Sequence, residues 1–329
     1  VSSKTDMRVD ILLRTLADGE FHSGEEIANA LGVSRATIWK LMKKLESWQI
    51  PLYSVTGKGY KIPGGLELLE SSWLREVLTK AGSQFSNIHV LTSVDSTANF
   101  IAQHWRENPN KTVVCIAEHQ TQGRGRKGRA WISPFAANLY FSIGIQVPLG
   151  LSALGGISLA VGISLANTLN RYSNQPIKIK WPNDLLVDNR KLAGILVEAS
   201  GDSNDKSFLN IGIGLNWNMQ TEQGKAIDQP WINLADLVDD SCSRSQILAD
   251  ILLELEQAFD AYQSDGLKIV ARQWASLSAL YRQPVRIVRT NDQLDGIEIG
   301  IESSGALKVA TDSGEQIVHS GEVSLRRRH

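Results

Sequence analysis

The residues with the clearest chemical content form one stretch, Gln120-Thr121-Gln122-Gly123-Arg124-Gly125-Arg126-Lys127-Gly128-Arg129-Ala130-Trp131. Three glycines alternate there with the cations Arg124, Arg126, Lys127 and Arg129, no acid intervenes, and a tryptophan closes the run. Like charges this dense repel one another unless solvent or a bound anion compensates them. A solvated basic loop would account for the charge alone. The interleaved glycines, which allow close approach of backbone to a ligand, favour a loop that grips phosphate or carboxylate. Gly123, Gly125 and Gly128 fit G-x-G-x-x-G, but dinucleotide binding requires a helix next. Pro134 and the run Asn138-Leu139-Tyr140-Phe141-Ser142-Ile143 predict loop, then strand. Gly128 is followed by Arg129-Ala130 rather than Lys-Ser/Thr, so the Walker pattern is excluded as well.

A second cluster lies in Ile177-Lys178-Ile179-Lys180-Trp181-Pro182-Asn183-Asp184. An alternating strand ending in Pro-Asn-Asp predicts a sharp turn that groups Lys180, Asn183 and Asp184 at its end. Leu185 to Val187 and Leu192 to Glu198 predict a hairpin around Asp188-Asn189-Arg190, with Lys191 at the foot of the returning strand beside Ala193 and Gly194. Alone, Lys191 reads as a surface charge; with a basic loop, an Asn and an Asp it reads as a carboxylate or phosphate ligand. Asp184 is the candidate to hold Mg²⁺ through water. Asn210 to Asn216 predicts a strand whose glycines admit a ligand and which ends in polar Asn216. Asp95-Ser96-Thr97 precedes a predicted helix from Ala98 to Trp105 and by itself reads as an N-cap. No Ser-His-Asp or Cys-His arrangement stands out.

The chain has 329 residues, enough for two or three domains. Its formal net charge of −1 confines any nucleic-acid binding to a local surface. Two cysteines, Cys115 and Cys242, make neither a disulfide framework nor a zinc spacing and suit a reducing cytoplasm. No signal peptide and no membrane-spanning apolar run is expected; the apolar stretch Leu154 to Leu169 reads as a buried helix.

At the N-terminus, Val9 to Ala17 has helical spacing, Ser23 caps a second helix ending at Gly32, and Ser34 caps a third from Arg35 to Leu45. Leu31-Gly32-Val33-Ser34 makes the pair a helix-turn-helix, and Leu52 to Val55 with Gly59 to Ile62 form a small hairpin, the wing. Residues 1–65 carry nine Lys/Arg and seven Asp/Glu, but 34–45 has four cations and no acid. Ser34, Arg35, Thr37, Lys40, Lys43, Lys44 and Lys58 are the DNA-contact candidates; Ile38, Leu41, Met42 and Leu45 have core spacing. Pro63-Gly64-Gly65 marks a linker, and Leu66 to Ala81 is expected to be helical. Ser245 to Ser264 and Leu267 to Leu280 predict helix, after which short strands predict a small β-barrel of roughly SH3 size. The expected architecture is α+β and multidomain: a winged helix-turn-helix over 1–65, a mixed-sheet α/β domain over 66–280, and an SH3-like β-barrel over 281–329.

Taken together, Gly-Arg-Gly-Arg-Lys-Gly-Arg-Ala-Trp at 123–131, Lys-Trp-Pro-Asn-Asp-Leu at 180–185 and Arg-Lys-Leu-Ala-Gly-Ile-Leu-Val-Glu at 190–198 resemble the bacterial biotin protein ligases. With the winged helix, the whole chain resembles the bifunctional biotin ligase and biotin operon repressor family. That resemblance implies ATP-dependent formation of biotinyl-5′-adenylate and transfer of biotin to a lysine of the biotin carboxyl carrier protein of acetyl-CoA carboxylase. It also implies an adenylate-bound homodimer that binds operator DNA, with biotinyl-5′-AMP as corepressor, and no membrane partner. By motif, Ser96, Thr97, Ala98, Gln120, Gly123, Arg124, Gly125, Arg126, Lys191 and Gly194 would hold biotin. Arg126, Arg129, Trp131, Lys180, Asn183, Asn216 and Arg326 would hold ATP, with Trp131 near adenine. Lys191, Arg126 and Arg129 would act on the reacting atoms, and Asp184 would serve Mg²⁺. The family commonly has Asn where this chain has Ala98, so a side-chain contact there is lost. The alternatives are a ligase that no longer binds DNA, a non-enzymatic biotin sensor, and a lipoate ligase. The basic loop is expected to close as a lid over the adenylate and to report occupancy to the dimer surface and winged helix.

Overall fold

The computed structural model describes residues 4–109, 111–202, 205–289, 292–321 and 324–327. The N-terminal elements are helices α1 (Lys4–Leu16), α2 (Gly24–Leu31) and α3 (Arg35–Ser47), then strands β1 (Tyr53–Val55) and β2 (Gly59–Lys61). Ser23 and Glu26 form a reciprocal capping box at α2, and Gly32 ends it with a left-handed φ of 60°. Ser34 caps α3 by accepting from the Thr37 amide. Ile38, Leu41, Met42 and Leu45 are buried, as their spacing predicts, against Val9, Leu12, Leu13 and Leu16 of α1.

Residues 66–70 do not form the expected helical turns. The helix α4 is confined to Ser71–Lys80, and the preceding segment is an extended strap whose backbone groups are bonded elsewhere. The Leu66 amide donates to the Ala17 carbonyl, Leu69 to Glu118 Oε1 at 2.6 Å, and Glu70 to Ser245 Oγ at 3.1 Å. These long-range partners outcompete local helical bonds, which is why helical spacing alone overextended α4.

The central layer is a seven-stranded sheet, order β3-β4-β5-β9-β8-β7-β6. Its strands are β3 (Ile88–Leu91), β4 (Val113–Ala117), β5 (Asn138–Val147), β6 (Lys178–Lys180), β7 (Asp184–Val187), β8 (Arg190–Gly201) and β9 (Ser207–Asn216). Only β3–β4 is parallel, so the sheet is mixed. Helix α5 (Thr97–Glu107) packs on β4, β5 and β9; α6 (Ile157–Asn170), α7 (Arg244–Asp265) and α8 (Lys268–Leu277) complete the layers. Eleven of the fourteen residues of α6 are buried, so it is apolar all round and carries no amphipathic stripe.

Strands β10 (Pro284–Val288), β11 (Gln293–Ile301), β12 (Leu307–Thr311), β13 (Gly314–Val318) and β14 (Ser324–Arg327) form a second, antiparallel sheet, order β13-β12-β11-β10-β14. The last strand returns to pair with the first, setting Arg326 opposite Arg286. The register shift between Glu298 and Gly300 bends β11. The last two residues of the basic C-terminal tail lie outside the described residues. Among the described residues no helix is long and apolar enough to cross a membrane.

The winged helix and the strap that follows it are each tied to the central domain, the first also through the Thr92 hydroxyl, which donates to Asp10 Oδ1 of α1 at 3.4 Å. Trp48, at the end of α3, stacks on Phe135 with ring centroids 5.5 Å apart and lies the same distance from His119. Arg244, fully buried at the start of α7, donates to Glu118 Oε2 and to the Asn138 carbonyl at 3.0 Å each, and to the Glu67 carbonyl of the strap.

Candidate active site

The Asp188-Asn189 turn between β7 and β8 has φ of 47° and 62° at its two central residues, the left-handed pair that a tight hairpin demands. It returns the chain so that Lys191 on β8 faces Asp184 on β7, Nζ to Oδ1 2.8 Å. The Lys191 backbone is pinned on both sides: its amide donates to the Pro230 carbonyl, and its carbonyl accepts from the Ile232 amide and Asn216 Nδ2. Asn216, expected as a nucleotide ligand, therefore also fixes the lysine's strand. Asn183 is held by paired bonds with Ile195 and offers Oδ1 to Arg126 at 3.2 Å.

The basic loop follows β4. A Cβ at Gly125 would meet nothing nearer than the Arg129 carbonyl at 3.6 Å; its amide donates to that carbonyl at 2.7 Å, closing a tight turn in which Lys127 takes a φ of 58°. Arg126 reaches out of the turn to Asn183 and to the carbonyls of Ser320 and Gly321, which lie between β13 and β14. Arg124 points the other way, to Asn99 at 2.6 Å and towards Glu198 at 3.9 Å. Trp131 lies against the cross-strand pair Gly194–Gly214: a Cβ at Gly214 would fall 2.3 Å from its ring, and one at Gly194 2.9 Å. Those glycines form a flat seat for the indole. Lys191 Nζ stands 5.3 Å from the ring centre, and the buried indole Nε1 has no hydrogen-bond partner.

At the other end, Gln120 Oε1 accepts from the Thr97 amide at 2.9 Å and hydroxyl at 3.2 Å, while its Nε2 donates to Ser133 Oγ. Thr97 Oγ1 also contacts Ser142 Oγ at 2.8 Å. Ser96 holds the N-cap position of α5 but makes no capping hydrogen bond, so its buried hydroxyl remains for the cavity it lines. Asp95, not Ser96, engages the first turn, through Asn99.

Most of the side chains expected at the site border one cavity of about 690 Å³. Ser96, Thr97, Ala98, Gln120, Arg124, Gly125, Arg126, Arg129, Trp131, Lys180, Asn183, Asp184, Lys191, Gly194, Asn216 and Arg326 line it. Gly123 does not. Its Cα packs so close to Ser133 and the Trp131 carbonyl that a Cβ would fall 2.6 Å from each, so it shapes the loop from behind. Sequence reasoning did not single out Ser142, nor the wall formed by Ile227, Asp228 and Trp231. It also missed Asn210, whose amide donates to the Ala98 carbonyl at 2.9 Å and so anchors the start of α5.

The electrostatics are those of an anion site. Burial holds the Lys180 ammonium below the usual lysine range; Asp184 opposes that shift, and Lys191, Arg326 and Arg129 reinforce it. Burial likewise lowers the Arg126 guanidinium, which Asp184 partly offsets. Arg124, Arg126, Lys127, Arg129, Lys180, Lys191 and Arg326 outnumber the carboxylates Asp184 and Asp228 around the cavity and leave positive potential for phosphate or carboxylate to neutralise.

On the winged helix, Arg35 and Lys40 are exposed. Ser34 and Thr37 spend their hydroxyls on each other at the α3 cap. Lys43 pairs with Glu46, and Lys44 turns back to Asp6 and the Trp48 ring rather than outwards. Lys58 and Lys61 both lie over Phe21 beside the wing.

Models of known families match the chain in three places. An HTH domain covers residues 8–61, the Biotin/lipoate A/B protein ligase family 90–216, and the Biotin protein ligase C terminal domain 283–326. Together they define a protein ligase of the biotin/lipoate class carrying a helix-turn-helix. The chain is 36% identical over 315 residues to the bifunctional ligase/repressor BirA of Salmonella typhimurium, with 96% of each chain covered. It is 28% identical over 328 residues to the Bacillus subtilis protein of the same name, covering 98% of this chain and 99% of that one. In structure it is similar to the biotin protein ligase from Aquifex aeolicus solved with biotin and ATP, at 27% identity and a TM-score of 0.62, covering 74% of this chain and 100% of that one. The chain belongs to the bifunctional biotin ligase/repressor family.

Proposed function

We propose that the cavity condenses biotin with ATP and that the same chain transfers the product. A biotin carboxylate oxygen attacks the α-phosphorus of ATP; the bond to the β-phosphate breaks and pyrophosphate leaves with its electron pair. A lysine amine of the carrier protein then attacks the acyl carbon, AMP departs, and the amine gives up a proton as the amide forms. The observation that carries this reading is the convergence of Lys180, Lys191, Arg126, Arg129 and Arg326 on one cavity. Two anions must meet there, and fixed cations lower the cost of bringing them together and of charge growing on pyrophosphate. No protein nucleophile is required.

Within this reading, Lys191 sits at the reacting carboxylate and α-phosphate, held in place by Asp184 and by its doubly pinned backbone. Arg126 and Arg129 face phosphate, and Ser96, Thr97 and Gln120 hold the biotin end. Among the described residues no group of three or more His, Cys, Asp or Glu could hold a metal. That fits Mg²⁺, which keeps its waters and takes most ligands from nucleotide phosphates, with Asp184 as the protein carboxylate. When bound, the ion would neutralise the phosphate charge.

Domains at 1–65, 66–280 and 281–329, an SH3-like barrel for the last, and a cytoplasmic location complete the proposal. The carrier is the biotin carboxyl carrier protein of acetyl-CoA carboxylase. The adenylate-bound chain dimerises and binds operator DNA through α3 and the wing, and Trp48 against His119, next to Gln120, provides the contact between site and winged helix. Incubation with biotin, Mg²⁺ and α-labelled ATP tests the first step: biotin-dependent labelled adenylate is expected, and its absence would leave a sensor without enzymatic activity.

A further inference from the structure

Trp39 sits in the second turn of α3 with 57% of its surface exposed, although its neighbours Ile38, Leu41 and Met42 are buried. Ala36, Trp39, Lys40 and Lys43 follow at i, i+3, i+4 and i+7 and therefore share one outward stripe. Lys43 Nζ lies 5.8 Å from the indole centre. No acid occurs between Arg35 and Lys44; Glu46, one turn further along this face, pairs with Lys43, and Arg35 and Lys40 remain as exposed cations near the ring. An exposed indole framed by cations and preceded by a small Ala36 is a poor solvent face. It suits a polyanion that also presents an apolar group.

Duplex DNA meets both requirements. The thymine C5-methyl is the apolar feature of the major groove, and the phosphates lie on either side. A recognition helix enters that groove by its N-terminal residues, which is where Trp39 stands. We propose that Trp39 is the base-reading side chain of α3, packing on thymine methyl groups while Arg35 and Lys40 hold phosphates. This rests on the reading of the winged helix as a DNA-binding module.

The test uses the full chain with biotin and MgATP and a random-sequence duplex pool. Duplexes enriched by the wild-type chain are measured by fluorescence anisotropy against wild type, Trp39→Ala, Trp39→Phe and Lys40→Ala. Each thymine is then replaced in turn by deoxyuridine, which removes only the methyl. The ratio of selected-duplex to random-duplex affinity is expected to fall about tenfold in Trp39→Ala, with Trp39→Phe in between. At one or more positions deoxyuridine should weaken wild type several-fold and leave Trp39→Ala unaffected. Lys40→Ala should instead weaken both duplexes alike and reduce the salt slope by about one. An unchanged affinity ratio in Trp39→Ala, or equal deoxyuridine sensitivity in variant and wild type, overturns the assignment while DNA binding stands. If wild type enriches no duplex, the DNA-binding reading itself fails, and this assignment with it.

Discussion

Lys191 and Asp184 form an ion pair across neighbouring strands, 2.8 Å apart, with only 16% and 19% of their side chains exposed. The pair sets the ammonium in the cavity before any ligand enters, so substrate anions meet a cation already oriented. Lys191→Ala removes it but leaves Lys180 to offset the Asp184 charge. We expect the fold to survive and biotin-dependent pyrophosphate release to slow by about 10²–10³. A coupled pyrophosphate assay beside a thermal melt checks both; near-normal turnover would remove Lys191 from the chemistry.

Arg126 bridges three parts of the molecule: its own loop, Asn183, and the carbonyls of Ser320 and Gly321. Arg126→Gly should loosen the loop over bound adenylate, with dissociation faster by roughly tenfold to a hundredfold, since each charged hydrogen bond contributes about 1.5–3 kcal/mol. Escaped adenylate would then label bystander lysines. Stopped-flow displacement measures the off-rate, and an unaltered rate would count against the lid.

The glycine seat of Trp131 gives a steric prediction. In Gly214→Ala the new Cβ would meet the indole at 2.3 Å, and because β8 and β9 are paired there the ring must move rather than the strand. Overpacking of this kind costs about 1–3 kcal/mol. We expect the KM for ATP to rise about tenfold and kcat to change less. Equal KM values for variant and wild type would separate Trp131 from the nucleotide.

Lys180 makes the reaction sensitive to alkaline pH. Burial lowers its ammonium below the ordinary lysine range, with neighbouring cations adding to the effect, so the charge is present at low pH and is lost as pH rises through that lowered value. The alkaline limb of kcat/KM for ATP should therefore fall earlier than an unperturbed lysine would allow. Lys180→Arg should carry the limb to higher pH. The same limb in both proteins would assign the titration to another group.

Much of this was legible in the chain itself. Capping at Ser23 and Ser34, the left-handed Gly32 and the core spacing of α3 are local signals, and the structure keeps each of them. The hairpin around Asp188-Asn189-Arg190 was legible because its turn residues are a local signal, but the pairing of Lys191 with Asp184 was not, since the β7–β8 register shifts between Leu185 and Leu186 and no turn residue announces that irregularity. Other features depend on partners far away in sequence. The strap at 66–70 looks helical by composition, yet Glu118, Arg244 and Ser245 claim its polar groups. Asn210 reads as one more strand residue until β9 crosses under α5 and its amide finds Ala98. Arg326 enters the cavity only because β14 pairs with β10, and the motif resemblance, not any spacing, pointed to it.

The central claim is that one cavity activates biotin and passes it on. The most direct measurement supplies the chain with labelled biotin, MgATP and an unmodified biotin carrier domain, in parallel with the Lys191→Ala variant. The account predicts label on a single carrier lysine with wild type and almost none with the variant. Carrier labelling that is independent of ATP, or undiminished in Lys191→Ala, would contradict it.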